Sequence, residues 1–83
     1  MTNDNNTQIA ADLRAAAGLI RVGGLVYGQY YSKRRPGPTA YCAVGAIIRA
    51  VNGLDTTYFD RSNTEGLRVY RAVVALAKHF DPN

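Results

Sequence analysis

One thiol and one imidazole limit what chemistry this chain can offer: Cys42 and His79. Cys42 lies near the start of the most apolar stretch, TAYCAVGAIIRAVN, residues 39–52. If Thr39 caps a helix there, Cys42 is its third residue. A sulfur at the positive end of a helix dipole suits a reactive or metal-binding role. A small buried hydrophobe is the reading preferred here. A nucleophile needs a base, and no spacing ties His79 to Cys42. His79 falls instead in the last turn of a C-terminal helix, where the dipole favours a basic group. The carboxylates are Asp4, Asp12, Asp55, Asp60, Glu65 and Asp81. None forms a local pair for acid–base work, and Asp60 and Glu65 suit a helix start. A metal site needs three or four ligands, which this spacing does not offer. Gly23, Gly24 and Gly28 follow a helix and not a strand, so they do not resemble a phosphate loop. The expectation is no enzyme, no cofactor and no metal.

The residues that do suggest a function are Tyr30, Tyr31, Ser32, Lys33, Arg34 and Arg35. Tyrosines beside cations on an exposed loop suit a protein interface, where Tyr and Arg are enriched. The same residues can stack on bases and pair with phosphates. An ordinary solvated turn, its tyrosines facing the core, is the third reading. Arg68, Arg71 and Lys78 form a second basic face on the last helix. The expected role is a small non-catalytic interaction protein that binds and modulates a host macromolecule. The alternative is a nucleic-acid binder using residues 30–35 and the basic face of the third helix. Self-association is compatible with either.

Three helices must position these residues. The first runs from a cap at Asn6 or Thr7 to about Val22, with Ile9, Leu13, Ala16, Ala17 and Ile20 inward. Gly23 and Gly24 end it. Residues 25–32 read as an extended segment, or a hairpin folded at Gly28. The Lys33, Arg34, Arg35, Pro36, Gly37, Pro38 run reads as an exposed loop. Residues 39–52 form a central helix capped by Thr39, stopped by Gly53 and buried on most sides. Gly45 costs roughly 1 kcal/mol against Ala in a helix interior, and close approach of a neighbouring helix would explain it. Tyr58 and Phe59 in the connector plug the core. Ser62 and Glu65 match a capping box. They open a third helix whose inner stripe is Leu67, Tyr70, Val73, Val74, Ala77 and Phe80, widened by Val69 and Leu76. Asp81 and Pro82 stop it. The fold is therefore mostly α: a small three-helix domain with a buried central helix and a short extended or hairpin segment after the first helix. Residues 1–6 are expected to be a disordered leader, and residues 7–83 a single helical domain.

With 83 residues, the chain makes one domain of limited stability. Ten Lys and Arg against six acidic residues give a net charge of +4, a modest hint of an anionic partner. A lone cysteine, no secretory signal and no membrane-length apolar run suit the cytoplasm.

Two stretches resemble a small, largely uncharacterised domain family of actinobacteria and their phages. One is LRAAAGLIRVGGLVYGQY, residues 13–30. The other is AYCAVGAIIRAV, residues 40–51, which is similar to that family's aromatic-Cys-x-x-Gly-Ala helix. The motif positions here are Tyr41, Cys42, Gly45 and Ala46. The resemblance implies a small helical domain of phage or mobile-element origin, and no reaction. Members often continue into an aromatic-Asn-Asp motif that this chain lacks, so by this comparison the chain looks shortened.

Overall fold

Residues 4–80 are described by the computed structural model. Helices α1 (Asp4–Gly23), α2 (Ala43–Asn52) and α3 (Thr64–Phe80) pack on one another. Strands β1 (Tyr31–Ser32) and β2 (Ala40–Tyr41) pair antiparallel between the first two helices, with Tyr31 opposite Tyr41. This is the expected three-helix domain with a short hairpin after the first helix. Asp4, Asn5 and Asn6, expected in the leader, are helical, so α1 begins before the expected cap at Asn6 or Thr7. Residues 1–3 lie outside the described residues, as do the Asp81-Pro82 stop and the side chain of Phe80.

The core gathers one face of each helix. Ala16, Tyr41, Ala46, Ile47, Ile48, Val69 and Ala72 are buried, with Leu13, Leu19, Ile20, Val73 and Leu76 packed around them. Fully burying Ile47, Ile48 and Val69 contributes about 2 kcal/mol each. On α1 the buried arc centres on Ala16, so Ala17, about 100° further round, is exposed.

Helix α3 is turned from its expected setting. Val69 and Ala72 are fully buried, while Tyr70 and Ala77 are exposed. Apolar residues occur on most sides of this helix, so hydrophobicity alone does not fix its rotation. Asn63, and not Ser62, caps the helix: its Oδ1 accepts from the Gly66 N–H at 2.7 Å. Ser62 is engaged elsewhere, donating its N–H and its hydroxyl to Asp60 Oδ1. Those two bonds hold the Asp60 carboxyl below the usual carboxylate range. Phe59 packs on the core as expected, but Tyr58 is 68% exposed.

Helix α2 is central, as expected, but starts later. Ala40 and Tyr41 are strand, and Thr39 is not the cap. Backbone bonds explain the change. Tyr41 N–H donates to Gly24 O, Val26 N–H to Tyr41 O, and Cys42 N–H to Tyr30 O, all at 3.0–3.1 Å. These bonds commit residues 40–42 to extended chain. Cys42 becomes the N-cap, with φ −81° and ψ 171°, and its Sγ accepts from Gly45 N–H at 3.3 Å. Gly53 closes the helix in the left-handed region, φ 75°. Gly45 is required by a close approach, though not that of a helix. A Cβ there would run into the backbone carbonyl of Tyr30.

Candidate interaction surface

The chain leaves α1 through Gly24 and crosses the start of α2 before it reaches β1. Three large apolar side chains stay exposed: Val22 in the last turn of α1, and Leu25 and Tyr27 along that path. Val22 is 73% exposed, Leu25 45% and Tyr27 83%. Leu25 makes an isolated parallel bridge to Tyr41, so its backbone is fixed while its side chain stays in solvent. Further along the same segment, Gly28, Gln29 and Tyr30 line, with Cys42, an open cavity of about 310 Å³.

The expected site residues divide into two groups. Tyr30 is 38% exposed at this surface. Tyr31 is half-buried and packs on the core, so it supports the surface from below. Lys33, Arg34 and Arg35 are exposed on the loop joining β1 to β2. The Arg34 guanidinium lies close to Gly24, which stands between Val22 and Leu25 in the chain. Among the described residues these three cations make no ion pair.

The other group behaves differently. Arg68 donates to Asp12 Oδ1 at 2.7 Å, and Asp12 is buried. Hydrogen bonding to Asp12 is the main reason the Arg68 pKa is raised. Arg68 is thus a structural cation linking α3 to α1. Arg71 donates to Asn5 Oδ1 at 3.3 Å, and Lys78 is exposed. Asn5 and Asp12 lie in the N-terminal half of α1, whereas Arg34 sits by Gly24, beyond its C-terminus. At about 1.5 Å per residue, Asp12 and Gly24 are roughly 18 Å apart along the axis. The two basic groups do not form one continuous surface.

Val22, Leu25 and Tyr27 were not singled out from sequence. The only local signal was Gly28, which breaks the extended segment and so prevents all of it from covering the core. The charge distribution carries a further signal. Residues 13–54 contain no Asp or Glu, but do contain Arg14, Arg21, Lys33, Arg34, Arg35 and Arg49. Asp55 reaches the hairpin region from outside that span, and its Oδ1 accepts from the Tyr41 hydroxyl at 2.6 Å.

Among the described residues, no group of three or more His, Cys, Asp or Glu could hold a metal ion. No described helix is long and apolar enough to cross a membrane. No curated protein matches the chain, and no solved structure matches it. A family model does match, over residues 4–83. The match spans all three helices and the surface between them, and the chain belongs to the family of unknown function DUF6197.

Proposed function

We propose that this is a small, non-catalytic interaction protein of phage origin, which binds and modulates a host protein in the cytoplasm. The observation that carries the reading is the surface formed by Val22, Leu25, Tyr27 and Tyr30 beside Lys33, Arg34 and Arg35. Exposed apolar side chains clustered next to unpaired cations suit a partner-binding patch. Its frame is held by the backbone bonds between residues 24–30 and residues 41–42. A fixed frame reduces the ordering cost of association.

Nucleic acid is the second reading, favoured by the exposed Tyr27 and Tyr30 next to three free cations. Capture from an actinobacterial lysate, with and without nuclease, separates the two. The protein reading expects a captured polypeptide that survives nuclease treatment. Capture that disappears with nuclease overturns it.

A further inference from the structure

We infer that the partner presents an acidic polypeptide segment, with carboxylates flanking one large apolar anchor side chain. This deepens the interaction reading and rests on it.

Charge complementarity is the first argument. Lys33, Arg34 and Arg35 project from a span, residues 13–54, that has six cations and no carboxylate. Asp55 reaches the hairpin from outside that span and accepts from the Tyr41 hydroxyl. Arg21 adds an exposed cation next to Val22 at the end of α1. A local excess of cations speeds encounter with an anionic partner and disfavours a cationic one.

Tyr27 and Tyr30 offer ring faces to either kind of anionic partner, but the aliphatic residues favour a polypeptide. Val22 and Leu25 are aliphatic, with no ring face on which a base could stack. They suit contact with apolar side chains. The open depression lined by Gly28, Gln29, Tyr30 and Cys42, about 310 Å³, offers a shallow resting place for one anchor. A nucleic-acid track would instead spread its cations along the backbone path. Here Arg68 is taken by Asp12, and the α3 cations lie toward the far end of α1.

Selection of random displayed peptides on the immobilised protein tests this without presupposing a sequence. The selected peptides should be enriched in Asp and Glu around a Leu, Phe or Trp. Their affinity should fall at least about tenfold on the Lys33→Gln/Arg34→Gln/Arg35→Gln variant. That variant changes only exposed loop side chains and should melt like the wild type. The best peptide should also slow alkylation of Cys42 by iodoacetamide, since Cys42 lines the cavity and is the only cysteine. Selected peptides with no acidic enrichment, or full binding by the triple variant, would overturn the inference and leave the interaction reading standing. Alkylation unchanged by bound peptide overturns the anchoring cavity. Displacement of the peptide by a single-stranded oligonucleotide that binds with a steep salt dependence overturns the choice of polypeptide. An empty selection overturns the linear acidic segment, and an empty selection together with an empty lysate capture overturns the interaction reading as well.

Discussion

Arg68 reaches across 56 positions of sequence to donate to the buried Asp12 carboxylate at 2.7 Å. Gln8, one turn before Asp12, donates to the same oxygen at 3.1 Å. The pair fixes α3 on α1 and sets the rotation that buries Val69 and Ala72. Removing one partner leaves the other charge uncompensated, which in a fully buried pair costs about 3–5 kcal/mol. Arg68 is partly exposed, so Arg68→Met should cost nearer about 2 kcal/mol. The double variant Asp12→Leu/Arg68→Met should recover much of that loss. Urea melts of the four proteins of this cycle measure the coupling, and additive effects would show that the pair contributes little.

Glycine substitutions separate helix propensity from close approach. Gly18 lies in the interior of α1 with open space where a Cβ would go. Gly18→Ala should stabilise the protein by about 0.5–1 kcal/mol. Gly45→Ala makes the same change in α2 but drives a methyl into the Tyr30 carbonyl. It should destabilise by more than the propensity gain, about 2 kcal/mol or more. Thermal melts of both variants check the opposite signs.

Cys42 has the extended backbone of a helix cap and accepts a bond from Gly45 N–H. Serine makes the same bond with a better acceptor and is a preferred cap, whereas alanine makes none. Cys42→Ser should hold or slightly raise stability. Cys42→Ala should lower it by about 1 kcal/mol. Equal melting of the Ser and Ala variants would show that the sulfur acts only by filling space.

Tyr41 is buried, and its pKa is raised by that burial and by its hydrogen bond to Asp55. A group whose folded pKa lies above its unfolded value stabilises fully below the unfolded pKa, about 10 for tyrosine. That contribution is lost as pH rises through the folded value. Stability should therefore fall above about pH 10 in a step that Tyr41→Phe removes. Urea melts between about pH 8 and pH 11, run on both proteins, test it. A step of the same size in the phenylalanine variant would assign it to other groups.

The helices were legible from their apolar spacing, with glycines ending the first two, but their caps were not: Cys42 takes the place of Thr39 and Asn63 that of Ser62. The hairpin partner was not. Strand β2 is two residues long, and Ala40 and Tyr41 continue the α2 apolar pattern without a break. Only the bonds to Gly24, Val26 and Tyr30 pull them out of the helix. Gly45 was legible as a close-approach residue, but sequence could not say that a loop carbonyl makes the approach. Of the expected site, the Lys33, Arg34, Arg35 loop was legible from its composition. The exposure of Leu25 and Tyr27 was not, because it depends on the path from Gly24 across the start of α2, and that of Val22 was not, because it depends on how α1 is turned on the core. Arg68 looked like a surface cation because its partner, Asp12, lies on another helix.

The interaction surface is the central claim, and binding of the captured partner at about 50 mM and 200 mM salt tests it most directly. Three proteins are compared: the wild type, Tyr27→Ala/Tyr30→Ala, and Lys33→Gln/Arg34→Gln/Arg35→Gln. A protein interface predicts that loss of the two aromatics costs about 2 kcal/mol or more, with a shallow salt dependence in the wild type. The triple variant should bind more weakly than the wild type at low salt and differ from it less at high salt. Wild-type affinity in both variants would contradict the account, as would a steep salt slope that flattens by about one unit for each cation removed.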